Sequence, residues 1–307
     1  MTANTTTSLE ATPQLETTEI RLKKLLVAID FSRQTVRTLE AAVAIAKSFD
    51  SELLLVNAAT PMVYGTGAEP VPIETFEVNL DIAKARMGEL VAGCSDLKMI
   101  KHREFVAYCG PVDLVAQIVN DEKVDLVIAG SHGAKGMERL ALGSVAQSML
   151  QCIPCPMLVV GPSCTAVQHP FRSILLATDV ERTGLRAAQY ASGLAERFHG
   201  KLTLLHVIEP KAMHQELRPE VSEEKTLRTL RRLLPPDLAI YTSAEVRIEH
   251  GKAGEMITYV ARSLAPSLIV MGVREGAMLS DHALGSTLAH VIREAHCPVL
   301  VVRRTLN

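Results

Sequence analysis

The chain contains a diverged copy of itself. Setting Leu25–Pro61 over Ile174–Pro210, a shift of 149 positions, needs no gap and gives 11 identities in 37 positions. Setting Leu126–Val160 over Leu268–Val302, a shift of 142, gives 11 in 35. A unit of about 145 residues is far longer than a solenoid repeat, so each copy must bury a core of its own. The 307 residues, 48% of them apolar, are enough for two such cores. The break between copies falls in Gly161 to His169, where Gly, Pro, Ser and Gln interrupt the apolar pattern. Domains are therefore expected over 21–163 and 170–307, behind a tail, 1–20, that holds seven Thr and no Lys or Arg and is expected to be disordered. That tail has neither the charged start nor the apolar stretch of a signal peptide.

Within each copy, apolar runs of strand length alternate with stretches of helical spacing. In the first, strands are predicted over Lys24–Ile29, Glu52–Ala58, Lys101–Ala107, Val124–Ala129 and Cys155–Val160. Helices are predicted over Gln34–Phe49, about Glu74–Ala92, Val112–Asn120 and Gly143–Gln151, and a loop carries Pro61, Gly65, Gly67, Pro70 and Pro72. The second copy repeats this order from Ser173 to Val302. Such alternation predicts an α/β fold with a parallel sheet, right-handed crossovers and helices on both faces.

Charge and composition narrow the partners. Thirty-two basic residues against thirty-four acidic ones, 4% aromatics and no Trp argue against nucleic acid, which needs clustered cations and stacking platforms. The same balance suits an anionic membrane surface poorly. The uncharged segment Leu140 to Phe171 holds four prolines and is not a spanning helix. Six Cys in so long a chain suggest buried thiols in a reducing, cytoplasmic compartment. The Cys152/Cys155 spacing invites a metal or redox reading, but no second such pair exists to complete a tetrahedral zinc site, and no metal site is expected.

Open parallel sheets bind ligands beyond the carboxyl ends of their strands, where the strand order reverses. The first predicted strand ends in Ile29-Asp30-Phe31-Ser32, which places a carboxylate at that edge. The fourth ends in Gly130-Ser131-His132-Gly133, and after nine intervening residues Gly143-Ser144-Val145 opens a helix. Glycines let backbone N–H groups approach an anion, and a helix N-terminus adds partial positive charge. The pattern predicts a phosphate cradle, and one without a Walker loop, since neither G-x4-G-K-[ST] nor G-x-G-x-x-G is present at these turns. Asp30, which phosphate would repel, should face hydroxyl or amine donors at the other end of a nucleotide. Each residue singly has a plainer explanation: Asp30 can cap the following helix, and Ser144 with Gln147 can form a capping box.

Gly130-x2-Gly133-x9-Gly143-Ser144, followed by Pro154-Cys155-Pro156-Met157-Leu158-Val159-Val160 and preceded by Asp30, resembles the universal stress protein family, and the resemblance extends over both copies. It implies two tandem Rossmann-like domains of the adenine nucleotide alpha hydrolase-like type, each a five-stranded parallel sheet of order 3-2-1-4-5. It implies ATP, with Mg2+ as an optional companion, held by Asp30 and Ala58 at the adenosine end. Gly130, Ser131, His132, Gly133, Gly143, Ser144 and Val145 take the phosphate end. The matching residues of the second copy are Asp179, Val207, Gly272, Gly285 and Ser286, but Glu275 replaces the second glycine and Arg274 the His. A side chain where a left-handed backbone is needed costs about 1–2 kcal/mol, and a carboxylate about 4 Å from phosphate adds roughly 1–4 kcal/mol of repulsion. The second site is therefore expected to be weak.

The resemblance further implies a nucleotide-dependent regulatory or binding module of the stress response with an unidentified protein partner. The fifth strands of the two halves would pair as an internal pseudo-dimer, and a homodimer through remaining apolar surface is a further option. Hydrolysis of ATP would be slow at most, because no base, metal-holding carboxylate pair or arginine finger surrounds the cradle. The competing functions are a scaffold that binds no nucleotide and an ATP-hydrolysing enzyme of the same fold group. The S-G-G-x-D-S type of loop such enzymes place after strand one is absent from Ile29 to Gln34.

Overall fold

The computed structural model describes residues 19–59, 73–132, 142–165, 169–179, 184–209, 219–236, 238, 242–273 and 286–303. The Thr-rich tail to residue 18, the proline-rich loop 60–72, Gly133, Arg274, Glu275 and Gly285 lie outside the described residues. In the first half the order is β1 (Lys24–Ala28), α1 (Arg33–Phe49), β2 (Glu52–Ala58), α2 (Ile73–Gly93), a 3-10 turn (Ser95–Met99), β3 (His102–Ala107), α3 (Pro111–Glu122), β4 (Leu126–Gly130), α4 (Ser144–Cys152) and β5 (Met157–Val160). The second half runs β6 (Ser173–Ala177), α5 (Gly184–Phe198), β7 (Lys201–Ile208), α6 (Pro219–Arg232), β8 (Ala244–His250), α7 (Ala253–Leu264), β9 (Leu268–Val273), α8 (Ser286–Glu294) and β10 (Val299–Arg303).

Ten strands form one sheet in the order β3-β2-β1-β4-β5-β10-β9-β6-β7-β8. Each half is thus a parallel 3-2-1-4-5 sheet, and the halves meet along an antiparallel seam that aligns Leu158 with Leu300 and Val159 with Val299. The sheet as a whole is therefore mixed. Burial follows from the pleat. Leu25, Val27, Leu53 and Leu55 point into one apolar layer under α1, α2, α5 and α6, and Leu26, Leu54, Val56 and Val127 into the other under α3, α4, α7 and α8. Each layer runs through both halves. Fully burying one such Leu or Val contributes about 1.5–3 kcal/mol.

The repeat-equivalent Phe49 and Phe198 meet across the halves with ring centroids 5.2 Å apart, edge to face, and Phe171 stacks on Phe198 at 4.6 Å. Further ties cross the seam. Arg303 Nη1 donates to Ile153 O at 2.9 Å, and Thr165 N–H donates to His296 O at 2.9 Å.

The strand order positions the site. After β1 and β2 the chain crosses over one face, and after β3 and β4 over the other, so the elements part at the carboxyl ends of β1 and β4 and leave a crevice.

Candidate functional site

A cavity of about 520 Å³ occupies this crevice. Its walls come from the ends of three strands and the starts of two helices. The end of β1 and the turn after it contribute Ala28, Ile29 and Asp30; β2 contributes Val56, Asn57 and Ala58; the end of β4 and the turn after it contribute Ala129, Gly130, Ser131 and His132. Pro111 and Val115 of α3 close one side, and Gly143, Ser144, Val145, Ala146 and Met149 close the other. The volume lies within the range of small-molecule sites, and a mainly apolar lining with a few polar groups is their usual composition.

Asp30 works in two directions. Its Oδ1 accepts from Ser32 N–H and from the Thr35 hydroxyl, each at 2.9 Å, which ties the turn into α1, while Ser32 Oγ caps that helix by accepting from Gln34 N–H at 3.2 Å. Oδ2 takes no hydrogen bond from the described residues. Between them Phe31 sits at φ 56°, left-handed for a residue with a large side chain, and Arg86 stacks on its ring at 4.4 Å. Ser32 is thus the helix cap, and Asp30 both braces the turn that carries it and presents a carboxylate to the site.

At β2 the ladder to β1 closes with Ile29 N–H donating to Val56 O at 2.8 Å. Ile29 O is taken by the side-chain amide of Asn57 at 2.8 Å, and no rung joins Ala58 to β1 among the described residues. The main chain at Ala58 consequently borders the cavity. His206 makes the repeat-equivalent contact, placing Nδ1 2.9 Å from Thr178 O.

The two helices that face the cavity differ in electrostatics. α3 begins at Gly110, where an added Cβ would lie 2.6 Å from Asp113 Oδ2, so a carboxylate already folds over its N-terminus. α4 begins at Gly143 with neither a side-chain cap nor an acidic residue in its first turn. Its first N–H groups and partial positive charge are therefore left for a ligand. Ser144 is the first helical residue and Gln147 N–H donates to Gly143 O, so the Ser144–Gln147 capping box expected as the plainer alternative does not form. Gly143 N–H donates to Ser131 O at 2.8 Å and Ser131 N–H to Val160 O at 2.9 Å, which fixes α4 against the end of β4.

Eight of the nine first-half residues predicted from sequence, Asp30, Ala58, Gly130, Ser131, His132, Gly143, Ser144 and Val145, border this one cavity; Gly133 lies outside the described residues. Ile29, Asn57, Pro111, Val115 and Met149 also line it and were not predicted. The Gly110-Pro111 pair at a helix start was the available signal for α3.

In the second half Asp179 follows β6, Val207 lies in β7, Gly272 in β9 and Ser286 opens α8. The local chemistry has changed. The counterpart of Thr35 is Gly184, which has no hydroxyl to offer Asp179 and packs so tightly that a Cβ would lie 2.3 Å from Thr178 Oγ1. Glu209 Oε1 accepts from Ala253 N–H at 3.0 Å, so a carboxylate stands at the helix start equivalent to Pro111.

The cysteines correct one expectation. All six are free, but only Cys164 and Cys297 are buried; Cys94, Cys109 and Cys155 are half-buried, and Cys152 is exposed at the end of α4. Burial pushes the Cys155 and Cys297 thiols up to about 12, which leaves them protonated and weakly nucleophilic. Among the described residues no group of three metal-ligating side chains assembles, and no helix is long and apolar enough to cross a membrane.

Fold and crevice define a tandem Rossmann-like protein with a cleft at the first topological switch point. The sequence pattern of the Universal stress protein family matches residues 21–161 and again 170–303, and the chain belongs to that family. Universal stress protein YxiE of Bacillus subtilis is 30% identical over 145 residues, which is 45% of this chain and 97% of its own. Universal stress protein MJ0531 of Methanocaldococcus jannaschii is 28% identical over 146 residues, covering 45% and 85%. A universal stress protein structure from Archaeoglobus fulgidus matches 92% of this chain and 97% of its own at a TM-score of 0.69 and 19% identity, which supports the tandem fold.

Proposed function

We propose that the first half binds ATP and that the chain acts as a cytoplasmic, nucleotide-dependent regulatory module of the stress response, with ATP hydrolysis slow at most. The observation that carries this reading is that one cavity is lined both by a carboxylate, Asp30, and by the uncapped N-terminus of α4. Asp30 suits ribose hydroxyls and the main chain at Ala58 suits the edge of a base, with Val56, Val115 and Met149 giving it an apolar seat. Gly130, Ser131, His132, Gly133, Gly143, Ser144 and Val145 would surround the phosphates, whose Mg2+ would arrive as their counter-ion. The second half would bind weakly through Asp179, Val207, Gly272, Gly285 and Ser286, given Glu209 at its helix start and Glu275 in its loop. Its main role would be that of a built-in dimer partner, consistent with the seam between β5 and β10. Native mass spectrometry of the purified protein tests this reading. It predicts a co-purifying or added adenine nucleotide at one per chain; a protein that takes up none from millimolar ATP contradicts it.

A further inference from the structure

The polar floor of the cavity is a chain of three side chains that begins outside the predicted site, on α1. Gln34 Oε1 accepts from His132 N–H at 3.2 Å, and this fixes which end of the amide is which. Gln34 Nε2 is then the donor toward Ser131 Oγ at 3.4 Å. Ser131 is fully buried, so its hydroxyl hydrogen needs an acceptor inside the protein, and His132 Nδ1 lies 2.9 Å away. With Nδ1 accepting, the proton of a neutral imidazole sits on Nε2. That Nε2 is buried and has no hydrogen-bond partner among the described residues, and His132 lines the cavity. A buried donor without an acceptor costs stability until a ligand supplies one.

Resting on the proposed nucleotide site, we propose that Gln34 and Ser131 are positioning residues that hold His132 as an Nε2–H donor, and that this donor is given to a phosphoryl oxygen of the bound nucleotide. Ser131 thereby acts through His132 rather than by touching the ligand. The repeat provides an internal contrast: Thr183, Val273 and Arg274 stand at the three equivalent positions, so the second half cannot build the relay.

The experiment reads the tautomer and the affinity separately. Long-range nitrogen–proton NMR spectra of imidazole-labelled full-length protein, with His132→Ala to assign the signal, should show the Nε2–H tautomer for His132 without ligand. Ser131→Ala and Gln34→Leu should convert it to a mixture while melting within a few degrees of wild type. Calorimetry should show ATP binding weakened about tenfold by His132→Ala, the value of one hydrogen bond to a charged acceptor, with a smaller loss in the two relay variants and adenosine binding unchanged. An Nδ1–H tautomer in wild type, or equal losses for adenosine and ATP, overturns the proposal. If no nucleotide binds yet the Nε2–H signature is present, the phosphoryl contact and the nucleotide reading fail while the relay stands. An Nδ1–H signature in a protein that binds ATP overturns the relay and leaves the nucleotide reading intact.

Discussion

Replacing Asp30 in two ways separates its two duties. Oδ1 holds the Ser32 amide and the Thr35 hydroxyl at 2.9 Å each, so Asp30→Ala removes both bonds from the turn into α1. Losing a helix-entrance acceptor of this kind costs about 0.5–2 kcal/mol, and the left-handed Phe31 beside it adds strain that those bonds now restrain. Asp30→Asn keeps a carbonyl oxygen in the place of Oδ1 and should cost no more than about 0.5 kcal/mol of stability. It exchanges Oδ2 for an NH2, which cannot accept from a hydroxyl, and gives up a charged hydrogen bond worth about 1.5–3 kcal/mol, roughly a tenfold to hundredfold loss of ATP affinity. Urea denaturation and calorimetry on the same two variants provide the assay. The expected pattern is Ala weak in both and Asn weak in binding alone. If both variants bind ATP as wild type does, the placement of the ribose end is refuted. If Asn is as destabilised as Ala, the division of labour between the two oxygens is refuted.

Three further outcomes follow from the scaffold. A Cβ at Gly161 would lie 2.0 Å from Ile292 O, a main-chain atom, so Gly161→Ala must shift the linker or α8 and should cost about 1–3 kcal/mol by thermal melting. Leu300→Ala at the seam should cost about 2–5 kcal/mol in urea and leave one cooperative transition, because both core layers run through both halves; two separated transitions would contradict that continuity. The Arg103 guanidinium and Lys24 hold the Glu122 carboxyl down to about 2 from an unfolded value of 4.5, so the stability these ion pairs give is full above pH 4.5 and is lost as pH falls toward 2. Arg103→Met should lower the neutral-pH urea midpoint and flatten its fall across that window.

The repeat and the alternation of strands and helices were legible in the chain because the inner strands, such as β1 and β4, bury both faces while the helices bury one. Strand ends were less so. β5 begins at Met157 rather than Cys155, and Pro154 and Pro156, which lack N–H groups, immediately precede it. The lining of the first-half cavity was readable because glycines and an acidic residue fall at strand ends, which the sequence pattern itself marks. The α3 wall and the Gln34 relay were not, since Gln34 and Ser131 are 97 residues apart and only the packing of α1 against the end of β4 brings them together. The exposure of Cys152 likewise depends on which face α4 turns outward, a matter that two residues of spacing do not decide.

Titration of the intact chain with ATP by calorimetry bears most directly on the whole account. It predicts a single tight site per chain, lost when Gly143 is changed to Val beside the open start of α4. Two equal sites, or undiminished binding in the Gly143→Val protein, would contradict it.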